Sequence, residues 1–276
     1  MAAHQGLKTV TYKTSRPGLR ALVCLLLGAA ILGVSWQVQE RLGIARPFSL
    51  APKKQENRRD AGRKSQELTL SSHTLYALQL GAFTRQDAAE RLAQEFSARG
   101  AAGYVYRDGE TYRVLAAAYP TRAEAQTVQT RLSAQSISTF VHPCVQEAVT
   151  LRAGGTAGQV DALREAAEYL DGLEKKLYNL STGLDNGQMT GSEGREALLS
   201  EGATCAALLN NLTAAFDGEI PAMLSPLQGT LSDIAAEAER IRGENGAARI
   251  GAALKKAQLL VFFGVYGFVE SVRQPA

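Results

Sequence analysis

The chain has 276 residues, and 45% of them are hydrophobic, which is typical of a folded protein and excludes wholesale disorder. Its formal net charge of +3 is small for this length, so the composition gives no support for a nucleic-acid-binding protein. Cys24, Cys144 and Cys205 form no CxxC pair and do not fit a structural zinc site. Cys144 and Cys205 could form a disulfide only in an oxidising compartment.

A hydrophobic segment near the N-terminus is the first predicted element. Residues 19–36 read LRALVCLLLGAAILGVSW and carry a charge only at Arg20. A bilayer span needs about 20 residues, and Arg20 and Trp36 suit the two membrane interfaces. We expect a transmembrane signal-anchor helix at 19–36, with a cleaved signal peptide and a buried globular helix as the alternatives.

The charges around this segment favour one orientation in the membrane. Lys8, Lys13, Arg16 and Arg20 come before or at the start of the segment with no acidic residue among them, although basic residues also follow it. The positive-inside rule therefore predicts a single-pass protein of the cell membrane with a short cytoplasmic tail at 1–18 and an extracytoplasmic C-terminal part.

Residues 37–72 are predicted to be a flexible charged linker. They include KKQENRRDAGRKSQE, which is dense in charge and has no hydrophobic period, so it cannot bury enough surface to offset the entropy of ordering. Contact with anionic lipid headgroups or an anionic cell-wall polymer is the alternative.

An internal duplication follows the linker. Residues 75–106 (LYALQLGAFTRQDAAERLAQEFSARGAAGYVY) align without a gap with residues 111–142 (TYRVLAAAYPTRAEAQTVQTRLSAQSISTFVH). Each half begins with the alternation of a strand, continues with hydrophobic residues at helical spacing and ends in a short strand.

Turn signals complete the predicted domain. Thr84 and Thr121 are placed to cap the two helices, and Asp108-Gly109 predicts a hairpin between the halves. Two βαβ halves joined by a hairpin predict a ferredoxin-like βαββαβ domain at 73–145, in which both helices cover one face of the sheet.

Strand alternation predicts which side chains lie on the other face, which is expected to be free. If Leu78 and Leu80 point to the helices, then Gln79 and Gly81 point away, and by the repeat so do Arg113 and Ala117. An amide and a guanidinium there can hydrogen-bond a neutral, hydroxyl-rich ligand. Ordinary solvated strand residues are the alternative.

Aromatic residues of the outer strands join this face if Val105 and Val141 point to the core. Tyr104, Tyr106 and Phe140 would then be available to stack on sugar rings or bases, with His142 beside them.

These residues resemble a known family. The segment YALQLGAF, from Tyr76 to Phe83, looks like the VQ-x-G-x-F opening of the SPOR domain, and Tyr112-Arg113-Val114 is similar to its YRV strand. The resemblance implies binding to glycan strands of bacterial peptidoglycan, with a preference for strands without stem peptides, and placement at division septa or spore-related walls.

We expect the glycan to contact Gln79, Gly81, Phe83, Tyr104, Tyr106, Arg113 and Phe140. Where the family usually has Gly-Pro-Phe after the YRV strand, this chain has Ala117-Ala118-Tyr119, so the turn and the glycan affinity can differ.

The C-terminal part is predicted to be helical. A glycine-containing linker at 146–158 leads to residues 159–276, where hydrophobic stripes separated by three breaks predict a four-helix bundle. The segment 259–269 (LLVFFGVYGFV) is apolar on all sides, which favours a central bundle helix; a surface for a protein partner or a membrane is the alternative.

No catalytic constellation is evident in the sequence. His4, His73 and His142 have no spaced nucleophile or carboxylate partner, and no cofactor or metal is expected. The sequence therefore predicts a non-enzymatic, membrane-anchored peptidoglycan-binding protein. An extracytoplasmic protein–protein scaffold with a degenerate glycan face is the alternative, and an enzyme within the bundle also remains open. A nucleic-acid binder of RRM shape is disfavoured because the central strands lack outward aromatics.

Overall fold

The computed structural model describes residues 63–273, which form a mixed α+β protein. The elements in chain order are β1 (Arg63–Leu70), β2 (His73–Phe83), α1 (Gln86–Ser97), β3 (Tyr104–Asp108), β4 (Thr111–Tyr119), α2 (Arg122–Ala134), β5 (Phe140–Gln146), β6 (Val149–Thr156), α3 (Ala157–Asp185), α4 (Gly191–Ala215), a short 3-10 helix (Ala222–Leu224), α5 (Ser225–Arg240) and α6 (Ala247–Arg273). The predicted tail at 1–18, the transmembrane helix at 19–36 and the first part of the charged linker lie outside the described residues.

Residues 73–146 form the predicted βαββαβ unit, which we call the module. Its four strands make one antiparallel sheet in the order β3-β4-β2-β5, so the strand that opens each repeat lies at the centre. Helices α1 and α2 cover one face, where Leu78, Val114 and Ala125 are buried. The predicted element order is confirmed.

The two helix starts of the module differ. Thr121 caps α2 as predicted, because its hydroxyl accepts a hydrogen bond from the Glu124 N–H at 3.2 Å. The prediction for Thr84 is wrong: α1 begins after Arg85, which has an extended backbone and no side-chain cap. The Arg85 guanidinium instead pairs with Asp87 in the first turn.

Two bulges interrupt the pairing of β2 with β4. Leu78 is opposite Ala117, Gln79 is opposite Leu115, and Gly81 is opposite Val114, so each strand contains one extra residue. A bulge reverses the alternation beyond it, because side chains change faces at every residue. Gly81 and Ala117 were predicted to point away from the helices, and both predictions are wrong.

A two-stranded ribbon lies where linkers were predicted. Strands β1 and β6 pair antiparallel along their full length, from Arg63 opposite Thr156 to Leu70 opposite Val149. The side chains of Leu68 and Leu70 are buried in the core of the helical region. The linker predictions for 37–72 and 146–158 are therefore wrong over these strands.

The C-terminal part is a four-helix region, as predicted, although it begins at Ala157 rather than at residue 159. Together with the ribbon that packs on it, residues 63–70 and 149–273 form what we call the helical body. Cys205 is buried in its core, whereas Cys144 is buried in a different cluster, between the module and α6, and both are free thiols. A Cys144–Cys205 disulfide is therefore not formed.

Helix α6 contributes to two cores, which explains why its segment 259–269 is apolar on all sides. Ile250, Leu254 and Val261 are buried in the core of the helical body, while Leu259 and Phe262 are buried against the module. The prediction of a central helix is confirmed. The helix is long and apolar enough to cross a membrane, but 61% of its most apolar window is buried inside the protein, as in a core helix.

Candidate ligand-binding face

The sheet face opposite α1 and α2 is covered over much of its area. It was predicted to be free, but α6 lies across it and forms a cluster that both parts of the protein share. The buried members of this shared cluster are Leu75, Ala77, Ala102, Leu115, Ala118 and Cys144 of the module, with Leu259 and Phe262 of α6. The sequence pattern could not reveal this contact, because the apolar residues of α6 follow the module by more than a hundred positions.

Tyr104 and Tyr106 lie on the predicted face but stack on a residue of α6. The ring of Phe263 is 5.4 Å from that of Tyr104 and 4.1 Å from that of Tyr106, with interplanar angles of 14° and 23°. Burial raises the pKa of both tyrosines above its ordinary value. Both tyrosines are at least half-covered, so they are not open stacking platforms in this conformation.

Gln79 and Arg113 lie side by side on neighbouring central strands, as the repeat predicts. The Arg113 Nη1 donates a hydrogen bond to the Gln79 Oε1 at 2.9 Å, and its Nε donates one to the Asp108 Oδ2 at 2.8 Å. The Arg113 side chain is 25% exposed and that of Asp108 is 45% exposed. The guanidinium is therefore held between two acceptors, and the Asp108 carboxylate balances its charge.

Two residues of β5 complete the open part of the face. Phe140 is opposite Gln79 and is 60% exposed, which is unusual for a large apolar side chain. His142 is opposite Ala77 and half-buried; burial, with the nearby charge of Arg113, lowers the pKa of its imidazole. We call Gln79, Asp108, Arg113, Phe140 and His142 the polar strip.

Gly81 and Phe83, the remaining predicted contact residues, lie on the helix side. A Cβ at Gly81 would be 3.0 Å from Leu92 Cδ2 of α1, and Phe83 packs in the small core beneath that helix. The exposed residue opposite Arg113 is Ala82. Sequence reasoning missed Asp108 as a partner of Arg113, although its position in the hairpin placed it on the adjacent strand.

The module matches a known family. Residues 72–142 match the family model of the SPOR domain, which agrees with the resemblance found in the sequence. No curated protein and no solved structure matches the chain significantly. A SPOR domain is a binding domain rather than a catalytic one, and its presence suggests peptidoglycan binding, generally in cell division.

Proposed function

We propose that this chain is a membrane-anchored, non-enzymatic protein that binds glycan strands of bacterial peptidoglycan through the polar strip. The observation that carries the proposal is the Gln79–Arg113 pair beside the exposed ring of Phe140, on the part of the sheet that α6 leaves open. The family match of the module supports the class of ligand.

The chemistry of the strip suits a neutral, hydroxyl-rich sugar. Gln79 and Arg113 offer donors and an acceptor in a fixed arrangement, so hydroxyl and acetamido groups of the glycan can bind without reorganising the site. Asp108 balances the guanidinium, which reduces attraction for strongly anionic ligands. The ring of Phe140 provides an apolar surface for one face of a sugar ring.

The remaining features fit an extracytoplasmic role. Residues 19–36 would anchor the chain in the cell membrane with residues 1–18 in the cytoplasm, and the module would then face the cell wall. Placement at division septa or spore-related walls follows from the SPOR resemblance, and the helical body would present a surface to a protein partner there.

Retention on purified sacculi tests the proposal. The full chain is incubated with sacculi before and after an amidase has removed the stem peptides. We expect retention to increase after amidase treatment, because the sugar faces become accessible. Absence of retention on the denuded glycan would show that the module does not bind it.

A protein–protein scaffold with a degenerate glycan face is the second candidate. The observation that favours it is the coverage of Tyr104 and Tyr106 by Phe263, which leaves a smaller open face than the sequence predicts. The test is the localisation of a fluorescent fusion of the chain that carries Gln79→Ala and Arg113→Ala. The scaffold candidate predicts that this fusion still reaches the septum, whereas the glycan-binding proposal predicts diffuse fluorescence over the membrane.

A further inference from the structure

The module is inserted into the helical body at two adjacent crossing points. The chain leaves the ribbon through Ser71 and Ser72 and returns through Glu147 and Ala148, and these four residues are exposed. Strand β1 ends at the first crossing and β6 begins at the second. Because these two strands pair with each other, with Leu70 opposite Val149, the two crossings lie side by side. Such a pair of short connections permits rotation of one body about the other.

Each body has a core of its own. The module buries Leu78, Ala89 and Val114 beneath α1 and α2, independently of the bundle. The helical body buries Leu70 of the ribbon together with its helices. Separation at the crossings would therefore leave both cores intact and expose the cluster that the two bodies share.

A few polar contacts hold the module and the helical body together, most of them beside the crossings. The His73 Nε2 lies 2.9 Å from the Asp171 Oδ1, and the Ser71 N–H donates a hydrogen bond to the same carboxylate oxygen at 3.1 Å. Farther from the crossings, the Lys255 Nζ of α6 donates a hydrogen bond to the Gly100 carbonyl of the module at 3.2 Å. These polar contacts are few, whereas the larger contact is the apolar sheet face itself.

Phe263 occupies the position that a stacked ligand ring would take. Its ring lies nearly parallel to those of both Tyr104 and Tyr106, on the same sheet face as the polar strip. Tyr106 is directly opposite Arg113, so a ligand that extended from the strip across the sheet would meet Phe263.

We propose that α6 is an internal lid on the module, and that the module swings off it about the crossings at Ser71–Ser72 and Glu147–Ala148 to expose Tyr104 and Tyr106 to ligand. The ligand identity rests on the proposed function, whereas the hinged opening does not. In the closed state the glycan meets the polar strip alone. Because binding to the whole face requires the open state, the apparent affinity is reduced by the fraction of molecules that are open.

Two native thiols report the opening without any ligand. Cys144 is buried in the shared cluster and becomes accessible when the bodies separate, while Cys205 is buried in the core of the helical body and becomes accessible only when that body unfolds. The rate at which a maleimide labels each cysteine in the full chain, measured by mass spectrometry of its peptides, therefore separates hinged opening from unfolding.

Substitution of Phe263 tests whether α6 controls the labelling of Cys144. Phe263→Ala removes two ring stacks, so we expect Cys144 to be labelled about tenfold faster, with Cys205 unchanged. Met223→Ala, which truncates an exposed side chain of the helical body, is the matched control and should change neither rate. Should Phe263→Ala fail to fold, His73→Gln weakens the fastening to Asp171 and should accelerate Cys144 in the same selective way.

The outcomes show separately whether the hinged opening, the role of α6 as a lid and the glycan binding are correct. Labelling of Cys144 and Cys205 at a common rate, or a Cys144 rate that neither variant changes, would overturn the hinged opening. Phe263→Ala should also bind denuded glycan about tenfold more tightly than Met223→Ala. Equal glycan affinity despite selective Cys144 labelling would overturn the lid, and selective labelling without any glycan binding would leave the opening established and refute the proposed function.

Discussion

Gly264 lies where α6 crosses α5 at close range. A Cβ at this position would be 2.8 Å from both Cβ and Cγ2 of Thr230, whose side chain is buried and whose hydroxyl already donates a hydrogen bond to the Pro226 carbonyl at 2.7 Å. Thr230 cannot turn away without losing this bond, so the glycine is required by packing. Three residues further along α6, a Cβ at Gly267 would make only an ordinary contact with Pro226, at 3.6 Å.

These two glycines give a matched pair of substitutions. We expect Gly264→Ala to lower the free energy of unfolding of the full chain by about 1–3 kcal/mol, because the added methyl overpacks the α5–α6 contact. Gly267→Ala should leave it unchanged or raise it by up to about 1 kcal/mol, since alanine favours a helix over glycine. Urea denaturation measures both. Equal effects of the two substitutions would show that α6 does not approach α5 as closely as described.

Among the secondary-structure elements, strand β1 lies in a segment whose sequence predicts a flexible linker. Its buried side chains, Leu68 and Leu70, alternate with the exposed Glu67 and Thr69, and they complete the core of the helical body. We expect Leu70→Ala to destabilise the full chain by about 2–5 kcal/mol, because it leaves a cavity in that core. Glu67→Ala on the same strand should stay within about 0.5 kcal/mol. A small effect of Leu70→Ala in the same denaturation experiment would contradict the packing of the ribbon.

The sequence could predict an element where its signal is local. Both halves of the repeat, the cap at Thr121 and the four helices follow from periodicity and turn residues within a short window. Strand β1 has only two buried leucines in a charged segment, and its partner β6 lies on the far side of the module, so no local pattern marks the pair. The bulges at the β2–β4 contact are also invisible to a strict period of two, and they moved Gly81 away from the candidate site.

For the whole molecule, the contact between the module and the helical body depends on pH through His73. Its hydrogen bond to Asp171 raises the pKa of this histidine above the ordinary value of 6.5; burial opposes the shift, and the charges of Asp171 and Glu174 add to it. A raised pKa in the folded state means that the stabilisation is complete below about pH 6.5 and is lost as the pH rises through the folded-state pKa.

Unfolding experiments on the full chain at several pH values test this dependence. The wild type should exceed His73→Gln in free energy of unfolding at pH 6, and the difference should shrink as the pH rises towards 8. The comparison with His73→Gln removes the contributions of titratable groups that do not interact with His73. A difference that is constant across this range, or that grows with pH, would contradict the charged pairing of His73.

Binding of a denuded glycan strand to single-arginine variants of the full chain tests the central claim most directly. Arg113 belongs to the polar strip, whereas Arg131 is an exposed arginine of α2 on the opposite side of the sheet. We predict that Arg113→Ala raises the dissociation constant by about 10-fold to 100-fold, because a charged donor to the sugar is lost, and that Arg131→Ala leaves it unchanged. Equal dissociation constants for the wild type and both variants would contradict glycan binding by the polar strip.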